Sequence, residues 1–415
     1  MTDSRGITPL SLGGRRAVPP RNWAWWPLTS CARLESGHTP SRYHPEWWGG
    51  QIPWISLTDI RELDGKVAHE TREYTNEAGI ANSSARVLPA GTVVLSRTAS
   101  VGFVTIMGRE MATSQDFVNW VCGPDLDPRF LAYLFRASRA YLRGLSSGAI
   151  HQTIYMPTVG AFEVCIPDLK EQKRIVSSLD EQIGAVERAR AAAEAQLEAA
   201  NALPAVYLRS AFACSEAQRW PLRSLGDLCE IQLGKMLSPA SRGGASPLPY
   251  LRNANVQWDR VDLTSIARMD FDFEELVKFE LRPGDLLVCE GGEPGRAAVW
   301  DGQISPCYYQ KALHRLRVRT EVAIPQFIMY RLWFGSVSEE FGESHAKTTI
   351  AHLPAVRLAD LAIRVPPVSE QRRIVETLAG EMAGVVRMRT VVEGHLSSID
   401  ALPAALLRRA FSGEL

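Results

Sequence analysis

The stretch from Pro167 to Phe212 occurs twice in this chain: a second copy runs from Pro366 to Phe411, displaced by 199 residues with no insertion or deletion. Glu171, Gln172, Arg174, Ile175, Val176 and Leu179 are shared, as are Ala202, Leu203, Pro204, Leu208, Arg209 and Phe212. A duplication of this kind constrains the fold before any local pattern does, because each copy must find an equivalent structural role.

Within the repeat, Val176, Ile183, Arg190 and Leu197 recur every seventh residue, and Leu179, Val186, Ala193 and Ala200 form a second series displaced by three. Alternating steps of three and four put both series on one seam of a helix that requires a helical partner. The copy carries the same seam in Val375, Met382, Arg389 and Leu396, and in Leu378, Val385, Val392 and Ile399. At 1.5 Å per residue, Asp168 to Asn201 makes a rod of roughly 50 Å, which should kink or stop at Pro204, as its copy should at Pro403.

Two matching seams in one chain are expected to pair with each other, antiparallel. The first helix is alanine-rich, whereas the second carries Val385, Val386, Val391 and Val392, so small residues would face larger ones. Arg190 and Arg389 interrupt the seams. If the midpoints of the helices coincide, two like charges would meet there, so crossed ion pairs are expected, Arg190 to Glu393 and Arg389 to Glu194; outward-reaching arginines are the alternative.

The chain has 415 residues, 46% apolar and 22% charged, which allows two or three folded domains. It shows no run of about twenty apolar residues and no basic-then-apolar signal at its start, so a soluble, cytoplasmic protein is expected. Seven cysteines are scattered without a CxxC, which argues against structural zinc and a disulfide framework. The net charge is zero, whereas a chain gripping DNA unaided carries a basic excess.

Residues 1–20 read as a disordered arm. Trp26-Pro27-Leu28 recurs as Trp220-Pro221-Leu222, and between each tripeptide and its helix lies a domain with matched segments. Gly37 with Thr39-Pro40 corresponds to Gly234 with Ser238-Pro239; Ile52 to Ile60 corresponds to Leu248 to Val256; Leu88 to Arg97 corresponds to Leu281 to Glu290. Short apolar runs after Pro/Gly turns are strand signals. Helical patterns follow, at Pro128 to Leu142 and Pro325 to Phe334, then last strands at Phe162 to Ile166 and Leu361 to Val365. The expected class is α+β: mixed α/β domains over 21–166 and 214–364, each followed by a long helix, over 167–213 and 365–415. Antiparallel pairing of those helices would give internal two-fold pseudo-symmetry.

Catalytic chemistry finds little support. No Gly-rich cofactor loop and no Asn/Asp-Pro-Pro-aromatic segment for adenine methylation occurs, and Gly234-Lys235-Met236 lacks the rest of a phosphate loop. Asp168, Glu171 and Lys173 resemble a magnesium-dependent nuclease cluster, but the copy has Pro367 and Arg372 at two of the three places, and acidic residues at a helix start have a dipole explanation. No catalytic residue and no metal ligand is assigned. Polar loops after strands suit DNA instead, with Ser96 a candidate DNA-binding residue in one of them: Arg97, Gln115, Gln152, Arg252, Asn253, Asn255 and Gln310 are candidate base readers, and Arg42, Arg143, Lys311 and Lys347 candidate phosphate contacts.

The junction Ile166-Pro167-Asp168-Leu169-Lys170-Glu171-Gln172-Lys173-Arg174-Ile175, its partner from Val365 to Ile374, and the Gly49 to Ser56 stretch resemble the specificity subunits of type I restriction-modification enzymes over residues 26–415. The resemblance implies two target recognition domains, each reading half of an interrupted DNA site, with the helices as spacer and as docking surface for two modification subunits. It implies no catalysis and no cofactor in this chain. S-adenosylmethionine, ATP and Mg²⁺ would serve the adenine methyltransferase and restriction subunits. Differences at Arg252 to Asn255 and Glu290 imply unlike half-sites. The alternative is a standalone DNA-binding regulator built from the same domains.

Overall fold

A computed structural model describes residues 8–12, 17–146, 152–237, 246–338 and 352–415. The chain divides into two units, one of Met1–Glu194 with His395–Leu415 and one of Ala195–Gly394. The division falls inside both long helices, so each unit holds a globular domain, the start of the helix that follows it and the end of the other helix.

In unit 1 the main sheet has the order Ala32–Ser36, Phe117–Cys122, Val93–Ser96, Val104–Met107, Val67–Ala68, antiparallel except for its last, parallel pair. Its central strands Val93–Ser96 and Val104–Met107 are buried at every position because both faces are covered. Val93, Leu95, Val118 and Trp120 face one core with Phe130, Leu131 and Leu134, while Val94 and Phe117 face another with Ile55, Ile60 and Met107. A second sheet places Trp48–Ile55 between Glu73–Thr75 and Ala112–Thr113.

Unit 2 has the same construction. Its main sheet runs Cys229–Leu233, Leu313–Val318, Leu286–Cys289, Ala297–Val299, and its second sheet places Leu248–Leu251 between Ala267–Met269 and Tyr308–Tyr309. Leu286, Val288 and Leu316 face one core; Leu287, Cys289 and Leu313 face the other. The matched glycines have one explanation. A Cβ on Gly37 would lie 1.9 Å from the Ser114 carbonyl oxygen, and one on Gly234 would lie 2.2 Å from that of Gln310, so only glycine lets the strands approach.

Each domain is clamped to its helix by a glutamine of the repeat. Gln172 is fully buried; its Nε2 donates to the carbonyls of Asp125 and Pro167, both at 3.0 Å, and its Oε1 accepts from the Asp127 backbone N–H at 2.9 Å. Gln371 does the same in unit 2, donating to Val322 (3.1 Å) and Pro366 (2.8 Å) and accepting from Ile324 (2.9 Å). Three of the side chain's hydrogen bonds are thereby satisfied at each junction between loop and helix.

The long helices span Leu169–Phe212 and Val368–Phe411. In unit 1, Arg174 Nη2 donates to the Leu415 carbonyl at 2.7 Å, and Arg190 Nε lies 3.6 Å from Asp400 Oδ1. The first helix advances while the second recedes by nearly the same number of residues, which is antiparallel pairing. In unit 2, Leu208 and Phe212 share a core with Ile374, Leu378 and Met382. Val176, Leu179, Ile183, Ala193 and Ala200 are buried on the first seam, and Leu378, Met382, Val385 and Val392 on the second, with Val186, Leu197, Val375 and Leu396 half-buried.

Four expectations are corrected. The helices do not stop at Pro204 and Pro403: both prolines lie inside, and the turns beyond are held because Leu208 and Phe212 enter the core of unit 2, and Leu407, Ala410 and Phe411 that of unit 1. The crossed ion pairs do not form as expected, since Arg190 pairs with Glu194 on its own helix (3.0 Å) and with Asp400; the register puts Asp400 opposite it, and both Arg190 and Arg389 are exposed. Val386 and Val391 are exposed rather than packed against alanines. The arm is ordered in part, because Leu10–Ser11 pairs antiparallel with Glu163 and Val164 and Leu10 is fully buried.

The Trp-Pro-Leu match is also out of register. Leu28 is buried and Leu222 is 58% exposed; Leu225 takes the place of Leu28, and each donates its N–H to a last-strand neighbour, Phe162 or Leu361. Trp23, not Trp26, matches Trp220: Trp23 packs on Phe130 and Phe411, and Trp220 on Phe327.

Candidate nucleic-acid interface

The polar turns after the central strands are built alike in the two units. In unit 1, Ser96 closes its strand and Thr98 bridges to Thr153, while in unit 2 the bridge runs from Gly291 to His352. Ala99 has φ +58° where unit 2 has Gly292 at +81°, and Gly102 (+86°) matches Gly295 (+90°). An alanine held in the left-handed region is strained by about 1–2 kcal/mol, so the turn's shape is imposed by its surroundings.

Arg97 anchors the unit 1 turn: its Nη2 donates to the Gln115 carbonyl at 2.8 Å and its Nη1 to that of Ile154 at 3.4 Å. The Gln115 side chain in turn accepts from the Thr39 hydroxyl. One connected group of loops therefore joins residues 38–48, 96–102, 115–116 and 152–154. In unit 2, Arg252 Nη2 donates to the Ser265 carbonyl at 3.2 Å, Arg296 Nη2 to the Asn253 carbonyl at 3.1 Å, and Trp258 Nε1 to Glu293 at 2.9 Å. His314 is fully buried beneath this turn, its Nε2 2.8 Å from the Leu353 carbonyl, and burial lowers its pKa below the ordinary 6.5.

The candidate readers divide by exposure. Gln115, Gln152, Arg42, Arg143 and Lys311 are exposed, and Arg97, Arg252, Asn253 and Gln310 partly so. Two are corrected: Ser96 is fully buried, donating to the Thr98 carbonyl at 3.2 Å, and Asn255 is 3% exposed, its Nδ2 donating to Asp262 (2.8 Å) and Ser265 (3.0 Å). Both shape turns and leave no edge for a base. Lys347 lies outside the described residues. Arg42 is exposed but committed, its Nη2 2.8 Å from Glu73 and its guanidinium carbon 3.9 Å from the Trp48 ring centroid. Asp168 caps the Glu171 N–H at 2.8 Å and Glu171 pairs with Arg174 at 2.7 Å, which accounts for the apparent nuclease cluster as a helix start.

Apart from Arg42, sequence reasoning missed the loop Ser41 to Trp48. There the His44 ring stacks on Trp47 at 4.1 Å and Tyr43 is 95% exposed. The signal was present as five aromatic or basic residues within seven positions.

Two copies of a strand-rich domain, each clamped by a buried glutamine to a long helix and carrying a polar turn after a central strand, define a class of paired modules. Residues 20–198 and 218–379 match the type I restriction modification DNA specificity domain, and the chain belongs to that family. Among curated relatives, it is 28% identical over 162 residues to the type I restriction enzyme MjaIX specificity subunit of Methanocaldococcus jannaschii, a match covering 39% of this chain and 38% of that protein. To the EcoKI specificity subunit of Escherichia coli strain K12 it is 25% identical over 306 residues, covering 69% of this chain and 65% of the relative. These matches thus span less than two thirds of either relative. The HsdS subunit of Thermoanaerobacter tengcongensis shares the fold at a TM-score of 0.62 and 20% identity, over 97% of this chain and 99% of that one. A chain from a study of complex assembly and conformational transition in the type I R-M system shares it at a TM-score of 0.76 and 20% identity, over 96% and 100%.

Proposed function

We propose that this chain is the DNA-specificity subunit of a type I restriction-modification complex and is itself non-catalytic. Each unit reads one half of an interrupted, asymmetric DNA site, and the long helices set the spacing and dock modification subunits. The observation that carries this reading is the pair of junctions at Gln172 and Gln371: two recognition modules of one design are fixed in the same way to two helices, while their turns differ in sequence.

Unlike turns imply unlike half-sites. The exposed Val386, Met388 and Val391 of the second helix and Val206 of the first give the helices apolar surface for a partner. The balanced net charge fits a chain that shares its grip on phosphate with other subunits. Methyl transfer from S-adenosylmethionine to adenine, and ATP- and Mg²⁺-dependent cleavage, belong to the modification and restriction subunits. Mapping methylated adenines in cells with and without this chain tests the proposal: a single interrupted motif should disappear with the chain, and an unchanged methylation pattern would refute it.

A further inference from the structure

We propose that Tyr43 is a base-contacting side chain of unit 1, packing its ring on the bases of the half-site that unit reads; this rests on the specificity-subunit reading above. At 95% exposure it is the most exposed large apolar side chain among the described residues. Its surroundings are fixed. The Tyr43 N–H donates to Ser41 Oγ at 3.3 Å, Trp48 Nε1 donates to the Ser41 carbonyl at 3.3 Å, and Asn76 Nδ2 donates to the Glu46 carbonyl at 2.7 Å. His44 stacks on Trp47 and its Nδ1 lies 2.8 Å from Glu46, while Arg42 is held between Glu73 and the Trp48 ring. A loop tied down on every side of a ring that it leaves in water is preorganised for contact, because little freedom remains to be lost on binding.

The neighbours decide the class of partner. Thr39, on the same loop, bonds Gln115, whose carbonyl holds Arg97, so Tyr43 belongs to the group of polar loops suited to base edges. Arg42 is paired with Glu73, so the charge of the loop is balanced beside the ring. What the loop offers is an amphipathic ring, which can lie against the base edges and thymine methyls that a duplex exposes in its groove.

The test uses the chain assembled with its modification subunits and a duplex carrying the motif found by methylation mapping. Y43A should bind that duplex about 10- to 100-fold more weakly, in the range of one lost base contact in a duplex site. Y43F should bind within about threefold of wild type, and in Y43A base preference should loosen only in the half read by unit 1. Melting should be unchanged in both, as expected for an exposed position. Wild-type affinity in Y43A would overturn the proposal. So would equal loss in Y43F, which would assign the hydroxyl to a phosphate, or loss of the modification subunits from Y43A, which would make Tyr43 a protein contact. In all three cases the wild-type complex still selects its motif and the broader reading stands; a wild-type complex without sequence preference would remove both.

Discussion

At the scale of single residues, a buried glutamine ties each domain to its helix. Replacing Gln172 by alanine removes the partner of the Asp127 N–H and of the Asp125 and Pro167 carbonyls at a partly buried junction, a loss of up to about 1–3 kcal/mol for each group left unpaired. The expected outcome is a lower denaturation midpoint, with faster hydrogen exchange at residues 125–130 than elsewhere in unit 1. The sequence displayed Gln172 and Gln371 as repeated residues but not their role, because every partner is a backbone group and backbone groups leave no trace in residue type. His314 supports a prediction in pH. Its folded-state pKa lies below the ordinary 6.5, so as pH falls below about 6.5 the unfolded chain takes up a proton that the folded chain refuses, and stability declines. H314Q, which keeps a donor for the Leu353 carbonyl but does not titrate, should flatten that acid-side decline in denaturant midpoints measured between pH 7 and 5.

At the scale of elements, the heptad seams were legible and their register was not. Heptad spacing does not fix how far two seams are slid past each other, and the assumption that their midpoints coincide placed Arg190 opposite Arg389 where the structure has Asp400. The ends fix the true alignment, where Phe212 and Phe411 insert into folded domains. Phe411 packs on Trp23 and Phe130 at centroid distances of 6.2 and 5.2 Å. Truncating it to alanine should destabilise unit 1 by about 3–5 kcal/mol, with exchange protection lost around Trp23 and Phe130 and retained in the Leu286–Cys289 strand of unit 2. Equal loss in both strand systems would contradict this assignment. The prolines misled for a related reason: local propensity ends a helix at Pro204, but burial of Leu208 and Phe212 beyond it outweighs about 3 kcal/mol of local cost.

At the scale of the whole molecule, duplication was the most readable property, and its fine alignment the least. The Trp-Pro-Leu tripeptides match letter for letter, yet burial selects Trp23 with Trp220 and Leu28 with Leu225, because insertions within each domain shift the offset while the fold preserves depth. The spacer role yields a length prediction. Seven residues inserted after Glu194 and seven after Gly394 lengthen each helix by about 10 Å, or about three base pairs of duplex. Methylation mapping should then report a gap wider by about three pairs with both half-site sequences kept; altered half-sites would defeat the spacer account.

The last residues of the chain have a consequence for its synthesis. The globular part of unit 1 precedes that of unit 2 along the sequence, but its core is completed only by Leu407, Ala410 and Phe411, whereas unit 2 is complete by Gly394. At ribosomal speeds of about 5–20 residues per second, the nascent first domain waits roughly 10–40 s with Trp23 and Phe130 uncovered. The earlier of the two domains along the sequence is thereby the later to complete its core.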